Sequence, residues 1–305
     1  MTTTSSATVA TRSLRPRRRS GRWMGWAFVG PFMLVFALVF LAPVLYAVYL
    51  SLFQNQMVGG NKFVGGANYV QALTDPQFWD AVRRVGLFLV VQVPIMLVVA
   101  LAAALAIDSS RLRFSSFFRI SIFLPYAVPA VVATLMWGFI YGPRFGLVGN
   151  INEFFGWAIP DPLSSSWILV AIGNITTWEF TGYNMLIFYA ALKTIPSDLY
   201  EAASLDGAGA LSVIRNIKIP SIRGAIGIAT IFSVIGSFQL FNEPNILKSL
   251  APNSISSYFT PNMYAYNLSF AGQQFNYAAA IAMIMGLLTM IVAYIVQLSG
   301  SRKDA

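Results

Sequence analysis

Six stretches of the chain are mostly apolar and long enough to cross a bilayer. They run over about 26–53, 85–107, 118–141, 167–192, 224–242 and 277–298. A transmembrane helix needs roughly 20 such residues, so the pattern predicts an all-α polytopic membrane protein with six spans. Pro31, Pro43, Pro94, Pro125 and Pro129 fall inside spans. Prolines are tolerated there when neighbouring helices or hydroxyls satisfy the carbonyls they free. Gly86, Gly138, Gly173, Gly227 and Gly236 are expected where helices approach closely.

Composition agrees with this pattern. Of 305 residues, 57% are hydrophobic and 10% are charged, and the mean hydropathy is +0.65. A soluble domain is nearer a quarter charged, so a typical soluble enzyme and a disordered chain are both excluded. The chain has no cysteine and no histidine. It therefore lacks disulfides, thiolate metal sites and the commonest general base. Little covalent chemistry is expected of it.

The net charge of +9 reads as membrane topology rather than nucleic-acid binding. With the N-terminus inside, Lys62, Arg83, Arg84, Arg144 and Lys248 are outside, five of the 20 basic residues. The other basic residues then sit in inner segments, which supports six spans with both termini cytoplasmic. Residues 1–22, rich in Ser, Thr and Arg, read as a mobile basic tail. Residues 23–300 form the membrane domain, and 301–305 a second short tail. The first span is read as retained, because its apolar run exceeds a signal peptide's 7–15 residues.

The one long inner loop, about 193–223, is the most distinctive stretch. Ser197 is a candidate N-cap, Glu201 an acidic residue in the first turns, and Ala202, Ala203 and Leu205 are helix formers. Gly207 or Gly209 can end that helix. Leu211, Ile214 and Ile217 follow at helical spacing until Pro220 marks a break. A small-residue face between Glu201 and Asp206 suits docking into a partner's groove. A plain surface helix linking two spans is the alternative.

Glu201-Ala202-Ala203, Gly207, Ile217 and Pro220 resemble, at the right spacing, the coupling-loop signature of ATP-binding-cassette importer permeases. Ile219 stands where leucine is usual. Asp206-Gly207-Ala208 resembles the carbohydrate-type branch. So do Phe63-Val64-Gly65, Asn68-Tyr69 and Asp75-Pro76-Gln77-Phe78-Trp79 outside, Leu124-Pro125-Tyr126-Ala127-Val128-Pro129 in span three, and Ala191 to Pro196 before the loop. The resemblance implies a type I importer permease fold in a bacterial inner membrane. Its coupling helix lies between spans four and five, with Glu201, Ala202, Ala203, Asp206 and Gly207 as ATPase-coupling residues. It further implies a second permease subunit in a heterodimer, a cytoplasmic ATPase dimer and an extracytoplasmic sugar-binding protein. No G-x-x-x-x-G-K-[ST] loop occurs in the chain. ATP and Mg are thus expected on the ATPase partner, with no cofactor in this chain, and the chain itself is not expected to be an enzyme.

Glu179 is the one carboxylate near the middle of a span, and intramembrane carboxylates are functional hypotheses by default. Thr176, Glu179 and Tyr183 fall at i, i+3 and i+7, one helical face that suits a sugar. Satisfaction by a neighbouring span, or protonation, is the structural alternative. Ser233 and Ser237 lie four apart in span five, followed by Gln239 and Asn242. They can line a path or join helices. Alignment by the resemblance implies that Tyr126, Thr176, Glu179, Phe180, Tyr183, Ser233 and Ser237 line the sugar path. Glu179 and Phe180 depart there from the smaller or apolar residues of maltose-type permeases, so an identical specificity is not expected. The competing class is a proton-coupled secondary carrier using Glu179. It leaves the loop signature unexplained, and no internal repeat supports it.

Overall fold

A computed structural model describes residues 21–56, 60–109, 112–143 and 146–301. Most of the two expected tails, and the charges at Arg111 and Arg144, lie outside these residues. The chain divides into two compact units, Met1–Tyr46 and Ala47–Ala305.

The described part of the first unit is α1 (Gly21–Phe36), a π-helical turn (Ala37–Leu41) and the start of α2 (Ala42–Ser51). Phe32, Phe36 and Phe40 stack along it, with centroids 6.1 and 5.1 Å apart. The wide turn has a cause in the sequence. Pro43 follows it by two residues, and a proline ring clashes with the carbonyl four positions back. Letting Ala42 bond five residues back to Ala37 moves that carbonyl aside.

The second unit opens with an antiparallel hairpin, β1 (Phe53–Gln56) and β2 (Gly60–Phe63), in register from Phe53↔Phe63 to Gln56↔Gly60. Helix α3 (Ala67–Thr74) follows. Buried Asn68 ties it back by donating to the carbonyls of Ser51 and Phe53, both at 2.8 Å. Helix α4 (Pro76–Asp108) begins nine residues earlier than the second span predicted above. Asp75 caps it by accepting from the Gln77 N–H at 2.8 Å, and Pro76 occupies the first turn. Arg83 and Arg84, read as loop charges, therefore stand on a helix, paired with Asp80 at 3.5 and 3.8 Å. The other Asp75 oxygen accepts from the hydroxyls of Tyr264 (2.6 Å) and Tyr277 (2.7 Å), joining three elements at this end of the unit.

The third span is not one helix. Helix α5 (Ser115–Phe123) runs into a 3₁₀ turn (Leu124–Ala127), and α6 (Ala130–Tyr141) leaves at 96°. Pro125 and Pro129 remove two amide hydrogens from this stretch, so a straight ladder cannot form. A short helix α7 (Leu147–Phe155) leads to α8 (Ile168–Leu192). The loop 193–223 carries α9 (Ser197–Leu205), α10 (Ala210–Val213), a second π-helical turn (Ile214–Lys218) and α11 (Ile219–Ser221). Two expectations are corrected here. Pro196, not Ser197, precedes the first helical residue, and the Ser197 hydroxyl faces Asp198 Oδ1 at 3.4 Å. Pro220 does not break the chain direction. As at Pro43, it sits two residues beyond a π turn, and the break falls at Ile222.

Helices α12 (Arg223–Phe238) and α13 (Asn242–Leu247) divide the fifth segment around Gln239–Phe241, a second interruption that the apolar pattern does not show. Helix α14 (Pro261–Phe270) and the last helix, α15 (Phe275–Ser301), complete the unit. Among the described residues four helical segments are long and apolar enough to cross a membrane: Gly25–Ser51, Pro76–Asp108, Arg223–Leu247 and Phe275–Leu298. The bent pair α5 and α6 makes a fifth if counted as one span. Helix α8 is absent from that set because it carries Asn174, Thr176, Thr177, Glu179, Thr181 and Asn184. Thr176, Glu179, Thr181 and Asn184 are tolerated by enclosure, because α8 packs along α4 and 12 of its 25 residues are buried; exposed Asn174 donates to the Tyr141 hydroxyl at 2.8 Å.

Close backbone approach between helices far apart in the sequence occurs at Gly182, which the pattern did not single out. A methyl at Gly182 would lie 2.7 Å from Phe123 Cα and 2.8 Å from the Ile122 carbonyl carbon, and closer still to the Ile122 oxygen. Of the five glycines expected at contacts, Gly138 packs under Leu250 and Leu247, and Gly173 is at ordinary contact with Gln92. Nothing lies within 4 Å of the methyl position at Gly86, Gly227 or Gly236.

Candidate functional site

The two helix interruptions meet at one cleft. It has a volume of about 380 Å³ and is walled by the middle of α4 (Phe88, Gln92, Met96) and of α8 (Thr176, Phe180, Tyr183, Asn184). Tyr126 of the 3₁₀ turn, the end of α12 (Phe232, Ser233, Gly236, Ser237) and the stretch Gln239–Glu243 complete it. Irregular backbone at such depth is tolerated where it lines a cavity, and that is where both interruptions fall.

One wall is aromatic. Tyr126 stacks on Tyr183 with centroids 5.0 Å apart and planes at 24°, and Phe180 meets Tyr126 edge-on at 5.9 Å. Gly182 brings α8 against the backbone of Ile122 and Phe123, one turn from Tyr126, and so sets this stack. The other wall is rich in acceptors. The Thr176 hydroxyl donates to the carbonyls of Ile172 (3.2 Å) and Gly173 (3.1 Å), and the Ser237 hydroxyl to that of Ser233 (2.9 Å). Both oxygens keep lone pairs for a ligand. Asn184 donates to the Phe180 carbonyl at 3.0 Å, which fixes its amide orientation, and leaves Oδ1 buried without a partner among the described residues. An acceptor-rich wall facing stacked rings suits a neutral ligand with many hydroxyl donors and C–H faces.

Six of the seven residues expected along the path, Tyr126, Thr176, Phe180, Tyr183, Ser233 and Ser237, line this cleft. Glu179 does not. The lining positions of α8 are 176, 180, 183 and 184, and at about 100° per residue Glu179 sits roughly a quarter-turn from their centre. It is 5% exposed, Oε2 has no partner among the described residues, and it interacts electrostatically with Glu243. Sequence reasoning missed Gln92 and Glu243. Gln92, a lone amide in an apolar run, donates to Thr177 Oγ1 at 3.3 Å. Glu243 looked like a loop residue but is 7% exposed on α13.

At the loop 193–223, α9 ends in a Schellman motif. The Ala208 N–H reaches the Ala203 carbonyl at 2.9 Å and the Gly207 N–H the Ser204 carbonyl at 3.1 Å. Gly207 adopts φ +71°, a left-handed conformation that side chains disfavour. Glu201, Ala202, Asp206 and Gly207 are exposed, whereas Ala203 is buried on the inner side of the helix. Leu205 and Leu211 are 90% and 77% exposed. The outward face thus combines two carboxylates with small and apolar residues.

Residues 96–304, more than half of the chain, match the family of binding-protein-dependent transport system inner membrane components. The lactose transport system permease protein of Rhizobium radiobacter is 34% identical over 300 residues, covering 94% of this chain and 97% of that protein. The diacetylchitobiose uptake system permease protein of Streptomyces coelicolor is 30% identical over 308 residues, covering 94% and 86%. A bacterial ABC transporter involved in import of the acidic polysaccharide alginate contains a chain of the same fold. Its TM-score is 0.80 at 18% identity, covering 92% of this chain and 96% of that one. The chain belongs to the binding-protein-dependent transport system inner membrane components: it is a multi-pass permease subunit of an ATP-binding-cassette importer, a transport component rather than an enzyme.

Proposed function

We propose that the chain forms half of the path for a neutral di- or oligosaccharide, delivered by an extracytoplasmic binding protein. The observation that carries this reading is the cleft between helix interruptions, with stacked Tyr126 and Tyr183 facing the free acceptors of Thr176, Asn184 and Ser237. Relatives named for lactose and diacetylchitobiose uptake support the sugar class. A solved alginate transporter bound to a ligand-loaded periplasmic protein supports the delivery step.

Six spans cross a bacterial inner membrane, with α8 as the enclosed sixth and the loop 193–223 on the cytoplasmic side. At about 1.5 Å per residue α8 is long enough for a roughly 30 Å core. A second, non-identical permease subunit completes the path. A cytoplasmic ATPase dimer binds ATP and Mg and receives the exposed face of α9, with Glu201 and Asp206 directed at basic residues of its cleft. Closure of the ATPase pair then rocks the spans between inward- and outward-facing states. A self-sufficient carrier coupled through Glu179 is the weaker reading, since family membership and the presented α9 both call for partners.

Mild-detergent purification of the tagged chain from native membranes tests this, with mass identification of what accompanies it. A second permease and an ATPase are expected. Their reconstitution with the binding protein should give ATP-dependent uptake of neutral disaccharides. Recovery alone or as a homo-oligomer, under conditions that preserve such complexes, would overturn the reading.

A further inference from the structure

One carboxylate holds both ends of the loop that carries α9. Asp108 is the last residue of α4, and its side chain is 8% exposed. Its Oδ1 meets Lys193 Nζ at 2.7 Å, and its Oδ2 meets Lys218 Nζ at 2.7 Å. Lys193 caps the C-terminus of α8, just before α9, and Lys218 ends the π turn that leads into α11 and α12. Lys218 is 14% exposed, and its ammonium also lies over the Tyr200 ring of α9, 5.6 Å from the centroid. Tyr200, Lys218, Asp108 and Lys193 thus form one connected chain joining α9, the α11–α12 entry, α4 and α8. Pro220 contributes, because the π turn it imposes carries Lys218.

The arrangement matters because of what α4 does elsewhere. Its middle supplies Phe88, Gln92 and Met96 to the cleft, yet α4 is not continuous in sequence with the loop. Displacement of α9 reaches α8 and α12 along the chain. It reaches α4 through packing on α8 and, at the loop itself, through Asp108. The Lys218–Asp108 pair is short, charge-assisted and sheltered on both sides, and so is stiff and directional; the Lys193 side chain is half exposed, and the Arg83 pair at the other end of α4 is exposed.

We infer that Asp108 is a positioning residue for coupling: it makes α4, one wall of the cleft, move with α9. The inference rests on the reading of α9 as the ATPase-docking helix. Asp108 touches neither ligand nor ATPase. Its role is to carry displacement between them.

The test uses the assembled importer in lipid nanodiscs and proteoliposomes. Asp108→Asn should leave the complex assembled and its basal ATPase intact. Stimulation by loaded binding protein, and uptake, should each fall about tenfold. Asp108→Glu should restore part of both. Because the chain has no cysteine, spin labels can be placed at Ala102→Cys on α4 and Ser204→Cys on α9. With Asp108 present their separation should stay constant between nucleotide-free and ATP-bound states. With Asp108→Asn it should change, a readout that a merely structural role would leave unmoved. If Asp108→Asn does not assemble, Lys218→Gln, which keeps the Lys193 pair, must show the same loss of stimulation. Unchanged stimulation and a constant separation in the variant that assembles would overturn the inference. Glu201→Lys run in parallel separates the two claims. Unchanged uptake in Glu201→Lys sinks the docking reading itself. A transport-dead Glu201→Lys beside a fully active Asp108→Asn sinks only the role of Asp108.

Discussion

Gly182→Ala is the sharpest perturbation available at the cleft, because a single methyl meets backbone rather than a movable side chain. Real Cβ atoms essentially never come within 3.0 Å of another heavy atom, yet this one would stand 2.7 Å from Phe123 Cα and 2.8 Å from the Ile122 carbonyl carbon. The contact to the Ile122 oxygen is shorter still, so one segment must move away from the other by roughly an ångström. Overpacking of this kind costs about 1–3 kcal/mol. The upper part of that range applies, since neither neighbour is the free end of a side chain. The displaced segment leads into Tyr126, and Gly182 adjoins Tyr183, so the movement opens the stack now held at 5.0 Å. Losing an aromatic pair costs about 0.5–1.5 kcal/mol, which is roughly a two- to tenfold loss of apparent affinity. The assay is uptake of labelled disaccharide by proteoliposomes with the assembled importer, with thermal unfolding of the same preparation. A raised KM and a lowered Tm are expected together. A variant with parental Tm and parental KM would refute the argument that this contact sets the aromatic wall.

Other expectations follow from the same geometry. Tyr126→Ala should weaken uptake by about two- to tenfold through KM while the complex still assembles; uptake saturation curves check it. Glu179→Gln, which keeps shape and removes the ionisable group behind the cleft, should alter ligand affinity or selectivity more than assembly; loss of the complex on a sizing column would instead make Glu179 structural. Asp75 is held below the usual carboxylate range: burial pushes it up, but the Tyr264 and Tyr277 hydroxyls and the backbone N–H groups of Gln77 and Phe78 outweigh that. A depressed group stabilises the fold above its unfolded value and loses that contribution as pH falls through its folded value. Thermal stability should therefore drop below the ordinary aspartate range, and Asp75→Asn should flatten that part of the pH profile. Tyr264→Phe removes one hydrogen bond to this carboxylate and should cost about 1.5–3 kcal/mol in unfolding measurements.

What was legible in the chain was whatever repeats locally. Apolar runs located the long helices, and Glu201 to Gly207 announced a helix that ends at Gly207 with its carboxylates outward. Positions 176 and 183 share the face that lines the cleft, as helical period requires. Glu179 lies to one side of that lining, since a period fixes which residues share a face but not which edge of it meets the cavity. The angle between α5 and α6 could not be read. Pro125 and Pro129 require an interruption, but its direction is set by packing on α8 through Gly182. Glu243 looked exterior because its helix folds inward only after the break at Gln239–Phe241. Lys193 and Lys218 read as topology charges, because nothing in a local pattern shows that one carboxylate 110 residues before Lys218 will receive both.

The bend in the third span has a consequence for how any such transporter changes shape. Pro125 and Pro129 each withhold a donor, and the second ring would strike the carbonyl of the first in a continuous helix, so the two halves cannot merge into one straight rod. Tyr126 sits on the interruption itself, beside the place where Gly182 admits the backbone of Ile122 and Phe123. Any change of angle at that turn, or any shift of α8 against it, therefore reshapes the aromatic wall of the cleft directly, with no side chain needed as an intermediary.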